Sequence, residues 1–223
     1  MLPDFKNKSL LITALSHRSS LNERSSGTTA TESNERLEFL GDAVLEMVVT
    51  KYLFNLFPQE PEGRLTAYRS ALVKTETLAQ VAAELGLQQQ LFMSKGEEAT
   101  GGRTNQGLLA DVFEAVVGAL YLDQGLEVAE TFLQQVLFPR LSAILEDHTY
   151  KDAKSSLQEV VQGQGSPTPT YLLVKEEGPD HQKIFTVQVM VNGEIKGIGL
   201  GKSKQIAQQE AARTALEKMS ISV

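Results

Sequence analysis

The sequence predicts two parts of different fold class: an all-α N-terminal domain and an α+β C-terminal domain of order α-β-β-β-α. Three observations carry this. Up to residue 150, apolar residues recur at helical spacing and never alternate for long. Beyond it, short strand-like runs flank Asn192-Gly193, a pair that tolerates positive φ at both positions and so favours a two-residue hairpin. Charge divides at the same place. The 223-residue chain has 21 Lys and Arg against 28 Asp and Glu, net −7, but residues 151–223 hold nine against eight.

Taken in order, apolar spacing predicts helices over 8–17, 36–56, 65–85, 108–122 and 126–145. Residues 20–34, SLNERSSGTTATESN, show no period and read as a mobile loop. Residues 94–107, SKGEEATGGRTNQG, read as a Gly-rich loop of a length that is often functional. The polar stretch Asp147–Asp152 separates a domain of residues 1–147 from one of residues 153–223, with 148–152 as the linker. Residues 153–163 read as a helix, Thr170–Glu176, Ile184–Val191 and Glu194–Leu200 as three strands, and 203–219 as the closing helix.

Composition narrows the function classes. Hydrophobic content of 41% with 22% charged residues suits a chain that buries a core. The absence of cysteine excludes a disulfide framework and a Cys-based zinc site. No apolar run approaches the roughly 20 residues of a membrane span, and the N-terminus lacks a leader's apolar stretch, so a cytoplasmic protein with no membrane partner is expected. A net charge of −7 argues against a nucleic-acid partner only if the charge is spread evenly, which it is not.

The most informative stretch is ERLEFLGDAVLEMVV, Glu35 to Val49. Its apolar positions point to a helix buried on most of its circumference, yet it carries Glu35, Glu38 and Asp42. At about 100° per residue, Glu38 and Asp42 lie about 40° apart and Glu35 and Glu38 about 60° apart, on one stripe. The stretch LLADVFEAVVGALYL, Leu108 to Leu122, repeats the anomaly with Asp111 and Glu114 as its only acids. A single acid in such a frame ordinarily sits at the solvent edge or pairs with an arginine, for which Arg36 and Arg69 are available. Two acid sets on two apolar helices favour a bound cation, because packed carboxylates raise one another's pKa and are costly to bury alone. Oxygen-only ligands favour Mg²⁺, Mn²⁺ or Ca²⁺ over zinc. Glu46 lies beyond this set and is expected at the surface.

ERLEFLGDAVL closely resembles the signature of ribonuclease III, the double-stranded-RNA endonuclease, and LLADVFEAVVGALYLDQG resembles that family's second characteristic helix. The resemblance implies that Glu38, Asp42, Asp111 and Glu114 form a Mg²⁺-dependent active site, with Mn²⁺ as a possible substitute. Glu35 and Glu62 match further family acids tied to processing or water-mediated metal contacts. Among these, Glu38, Asp111 and Glu114 are assigned as direct ligands, Asp42 as a water-mediated ligand or positioning base, and Asp42 and Glu114 as the catalytic pair. The resemblance also implies a homodimer cutting the two strands at staggered positions to leave a short 3′ overhang, in the processing of ribosomal RNA precursors and other structured transcripts.

Residues 152–219 resemble a double-stranded-RNA-binding domain, in element order and in GLGKSKQIAQQEAA. Such domains read 2′-hydroxyls and phosphates over about 16 base pairs. The likeness assigns Gln158 and Gln162 to one minor groove, the loop Gly178-Pro179-Asp180-His181-Gln182 with His181 to the next, and Lys202, Ser203 and Lys204 to phosphates between them. Lysines at a helix N-terminus oppose the helix dipole, and a polyanion there would offset both. Gln205 and Gln208 stand where the family usually has Lys or Arg, so weaker phosphate binding is expected. Asn105, Gly107 and Ser20 also depart from the family pattern. The alternative reading is a non-catalytic double-stranded-RNA-binding dimer with a degenerate nuclease domain.

Overall fold

The computed structural model describes residues 2–23, 27, 29–146, 153–179 and 183–219. The chain forms two compact units, Met1–Thr149 and Tyr150–Val223. The first is all helical among its described residues. Its helices are α1 (Lys8–Ala14), α2 (Glu35–Leu56), α3 (Glu62–Val73), α4 (Thr75–Glu84), α5 (Leu87–Gln90), α6 (Lys95–Ala99), α7 (Gln106–Gln124), α8 (Leu126–Val136) and α9 (Arg140–Glu146).

Helix α7 is the axis of this unit. Every residue from Ala115 to Leu120 is buried, and α1, α2, α4 and α8 pack around it. Its start is set by Asn105, whose side chain accepts from the Leu108 N–H at 3.2 Å, a cap worth about 1 kcal/mol. Its end is set by Gly125, whose φ of 87° suits glycine and turns the chain into α8.

The closest packing is between α7 and α2. A Cβ on Gly41 would stand 1.8 Å from the Glu114 carbonyl oxygen, and one on Gly118 2.3 Å from the Leu37 carbonyl oxygen. The two helices therefore cross backbone to backbone, which no residue but glycine permits at those two points.

Three sequence expectations change. The helix expected over 65–85 is two, broken at Lys74, whose extended ψ of 150° ends α3 and caps α4. The helix expected over 126–145 breaks before Pro139, which disfavours helical geometry in the residue it follows. The stretch 94–107 is more ordered than its composition suggests. It holds α6 and a 3-10 turn, Gly102–Thr104, pinned by Arg103 to the carbonyl oxygens of Gln88 and Leu91 and to Glu98. The polar stretch 20–34 opens on a 3-10 turn, Arg18–Asn22, and ends with the Asn34 N–H donating to the Ser16 carbonyl at 2.9 Å.

The second unit contains α10 (Ala153–Gly163), β1 (Thr170–Glu177), β2 (Ile184–Val191), β3 (Glu194–Gly201) and α11 (Lys204–Lys218). The sheet is antiparallel in the order β1-β2-β3, and Asn192 and Gly193 turn β2 into β3 at φ of 53° and 79°. Val187, Val189 and Val191 face Leu157, Val161 and the alanines of α11. Small residues set the spacing: a Cβ on Gly197 or Gly199 of β3 would lie 2.2 Å from the α11 backbone at Ala211.

Candidate active site and RNA-binding surface

The α2–α7 crossing positions the four central acids. Glu38 and Asp42 flank Gly41 on α2, and Glu114, whose carbonyl touches Gly41, stands on α7 with Asp111 three residues before it. Glu38, Asp111 and Glu114 are half-buried, and Asp42 is exposed. Glu38 and Asp111 line one open groove of about 660 Å³ with His17, Arg18, Asn34, Glu35, Glu97 and Leu108.

The electrostatics mark this group. Burial, together with the negative charges of Asp42, Asp111, Glu38 and Glu46, pushes the Glu114 carboxyl up to about 8. Burial and the charges of Asp111, Glu35 and Asp42 raise Glu38 above the usual carboxylate range. Burial also raises Asp111, against the opposing influence of His17. Among the described residues the nearby arginines are engaged with other acids. Arg18 reaches Glu35 at 3.6 Å, Arg36 reaches Glu32 at 3.5 Å, and Arg69 reaches Glu46 at 3.0 Å. Among the described residues none of the four acids enters an ion pair.

Among the described residues, no three His, Cys, Asp or Glu side chains already converge tightly enough to hold a metal ion. The donor chemistry nevertheless fits a hard divalent cation. The donors are all carboxylate oxygens, they are coupled electrostatically, and a cation is what would offset their raised pKa values.

The outer acids are placed differently. Glu35 is exposed, and a hydrogen bond from the Ser33 hydroxyl at 2.7 Å, with the Arg18 charge, holds its carboxyl below the usual range. Glu62 opens α3, accepts from the Thr66 hydroxyl at 3.3 Å and lines a separate cleft with Thr50, Phe54, Glu60 and Arg69. Within one chain, Glu62 is thus not among the groove-lining acids. Glu46, expected at the surface, is half-buried and paired with Arg69, and its charge adds to the upward push on Glu114.

His17 and Glu97 are among the groove residues that the sequence reading does not single out. His17 is brought in by the turn that follows α1. Its Nδ1 accepts from the Ser19 N–H at 3.3 Å and lies 2.8 Å from the Ser19 hydroxyl, which itself accepts from the Ser94 N–H. Glu97 comes from α6, inside the stretch read as irregular. The only sequence signal was the His17-Arg18-Ser19 run itself, without any pattern tying it to the acids.

Helix α2 is also less buried than its composition suggests. Phe39 is 82% exposed, Phe54 67% and Met47 48%, so one apolar face lies open in the single chain.

In the second unit, Gln158 and Gln162 are exposed on α10, and Gln162 donates to the Thr168 hydroxyl at 3.1 Å. Ser203 caps α11, its hydroxyl accepting from the Ile206 N–H at 3.2 Å. Lys202 is exposed beside it. Lys204 pairs with Glu176 at 3.0 Å and lies 5.7 Å from the Phe185 ring centroid. His181 and the linker 148–152 lie outside the described residues.

A helical domain with an acid-walled groove, followed by an α-β-β-β-α module, defines the class of nucleases that act on duplex RNA. Comparison with known proteins makes this specific. Residues 7–141 match a family model described as ribonuclease-III-like, and residues 153–219 match the double-stranded RNA binding motif. The chain is 49% identical to Ribonuclease 3 of Geobacillus thermodenitrificans over 215 residues, covering 96% of this chain and 86% of that one. It is 46% identical to Ribonuclease 3 of Enterococcus faecalis, covering 96% and 92%. A solved nuclease domain of ribonuclease III from Campylobacter jejuni, in work on a region involved in its dimer formation, is similar at 42% identity with a TM-score of 0.55, covering 61% of this chain and 92% of that one. The chain belongs to the ribonuclease III family.

Proposed function

We propose that this chain is an endoribonuclease that hydrolyses phosphodiester bonds of double-stranded RNA, in the processing of ribosomal RNA precursors and other structured transcripts. The observation that supports the reading is the set of four carboxylates at the α2–α7 crossing, none of them in an ion pair among the described residues. That charge pattern is costly in a purely structural role and suits a site that works on phosphate through a divalent cation.

Glu38, Asp111 and Glu114 would hold the cation, Mg²⁺ or in its place Mn²⁺. When bound, the cation supplies charge stabilisation at the phosphate and acidifies water. The protein's own residues do the rest. Asp42, exposed on α2, would orient the water that attacks phosphorus or accept its proton. Glu114, whose carboxyl is pushed up to about 8, would release its proton when a cation binds. Glu35 and Glu62 act as supporting acids at the margins. Until the charge is offset, the acid wall repels the RNA backbone, which makes productive engagement of the cut site depend on the cation, while the C-terminal module holds the duplex without it.

The open face of α2, with Phe39, Met47 and Phe54, supports a homodimer in which a second copy covers it. Two sites related by a two-fold axis then cut the two strands at staggered positions and leave a short 3′ overhang. Residues 1–147 form the catalytic and dimerisation domain, 148–152 the linker, and 153–223 the module that holds the duplex. Its contacts are Gln158, Gln162, His181, Lys202 and Lys204, with Ser203 fixing the helix end that presents the lysines. Among the described residues no helix is long and apolar enough to cross a membrane. A cytoplasmic location suits this substrate.

Incubation of an end-labelled RNA duplex with the full chain in Mg²⁺, in Ca²⁺ and in chelator tests this reading. Discrete products with recessed 5′ partners are expected in Mg²⁺ alone. Binding without cleavage under all three conditions would establish the degenerate, RNA-holding alternative instead.

A further inference from the structure

The C-terminal module is barely basic, and its described cations are mostly committed. Lys175 pairs with Glu177, Lys196 with Glu194, Lys183 and Lys204 with Glu176, and Arg213 with Glu210 and Glu217. On α11 the stripe that begins at Lys204 continues, one turn on, with Gln208. A helix that meets a polyanion along this stripe thus has a neutral side chain where a second phosphate contact belongs.

A lysine from another helix fills that place. Lys154, in the first turn of α10, crosses the α10–α11 contact and donates from Nζ to the Gln208 side-chain oxygen at 2.8 Å. Its Nζ also stands 5.1 Å from the centroid of the Tyr171 ring. A second bond fixes the same joint, from the Lys154 N–H to the Gln209 side-chain oxygen at 3.4 Å. The stem is half-buried and the ammonium is delivered to the α11 stripe, the usual geometry of a lysine that packs its carbons and projects its charge. The Gln208 amide oxygen and the Tyr171 π-face help to position the ammonium. A lysine in the first turn of a helix works against the helix dipole, so the choice is not explained by helix stability.

We propose that Lys154 supplies the duplex-phosphate contact at the Gln208 turn of α11, so that the RNA-binding stripe is completed from α10. The proposal rests on the duplex-RNA reading above. A phosphate oxygen replaces the Gln208 amide as the acceptor of Lys154, and the charge-assisted bond that results is the stronger of the two. Gln208 then acts as the guide that keeps the ammonium in register with Lys204.

The test is duplex-RNA binding by the full chain in chelator, with affinity measured by fluorescence anisotropy across a range of KCl. The variants are Lys154→Gln, Lys154→Gln with Gln208→Lys, and Lys202→Gln as the reference for the helix end proposed above to meet phosphate. Loss of one phosphate contact lowers the log–log salt slope by about 0.9 and weakens binding about fivefold near physiological salt. Lys154→Gln is expected to show both effects, and adding Gln208→Lys is expected to restore both with an unchanged melting temperature. An unaltered slope for Lys154→Gln beside a reduced one for Lys202→Gln overturns the proposal and leaves the duplex-RNA reading standing. Weaker binding that tracks a lower melting temperature and is not restored by Gln208→Lys also overturns it, assigning Lys154 to packing. If Lys202→Gln too leaves binding unchanged, the reading of α11 as a phosphate-binding helix falls with it.

Discussion

The two units handle charge in opposite ways. Where α2 crosses α7, four acids crowd together and none finds an ion pair among the described residues, although Arg18, Arg36 and Arg69 lie on nearby elements. In the C-terminal module, acids and bases alternate along the strands and along α11 and pair locally, as Lys204 does with Glu176 and Arg213 with Glu210. Exposed pairs of that kind are worth about 0–1 kcal/mol and exchange readily for other partners. Unrelieved charge in a half-buried place is costly and marks chemistry; relieved charge on a surface marks binding that can be adjusted.

The largest expected effect breaks the first half of this contrast. Glu114→Gln removes the most strongly perturbed carboxyl while keeping its size. Cleavage in Mg²⁺ is expected to fall by about three orders of magnitude or more, the scale at which metal-assisted chemistry is lost. Duplex affinity in chelator should remain as it was. Gel assays of cleavage and binding read the two together, and near-normal cleavage would remove Glu114 from the site.

Gly41→Ala attacks the geometry beneath the charge. The new methyl lands 1.8 Å from the Glu114 carbonyl, so the helices must part. Overpacking of this kind costs about 1–3 kcal/mol. Urea denaturation should show that loss, and cleavage should fall even below the midpoint, because all four acids shift. Lys154→Gln breaks the second half of the contrast, with the fivefold loss of binding given above.

A smaller effect follows from pH. The Glu114 carboxyl is higher in the folded chain, about 8, than its ordinary 4.5. The folded state therefore holds a proton that the unfolded chain releases between those values. Without divalent cation, stability is fully present below about pH 4.5, declines as pH rises toward 8, and levels off above it. After allowance for solvent screening, the decline amounts to about 2 kcal/mol. Melting curves across pH should show it in the native chain and not in Glu114→Gln. The smallest effect sharpens the second half of the contrast: Glu176→Gln frees Lys204 from its partner and should tighten duplex binding about two- to threefold, by the modest energy of an exposed pair.

Much of this was legible in the sequence, and for identifiable reasons. The acids stood out because helical spacing makes Glu38 and Asp42, and Asp111 and Glu114, neighbours whatever the tertiary fold. The strands were legible because Asn192-Gly193 fixes one hairpin locally. The helix–helix crossing was not, because Gly41 and Gly118 acquire meaning only from each other. The nearly all-round apolar pattern of α2 suits a surface beyond the chain's own core, but only the structure shows that Phe39, Met47 and Phe54 are the side chains left open. The break at Pro139 carried a signal, whereas the one at Lys74 did not. His17 and Glu97 reach the groove through turns whose composition has no period.

The central claim is that the α2–α7 crossing gathers carboxylates for a divalent cation. Calorimetric titration of Mg²⁺ into the metal-free chain, in two buffers of different ionisation enthalpy, tests it most directly. The expected result at pH 7 is binding with release of close to one proton per chain, supplied by Glu114, with the release vanishing above pH 9 and absent in Glu114→Gln. Mg²⁺ binding of equal strength in Glu114→Gln, or binding at pH 7 without proton release, would contradict the account.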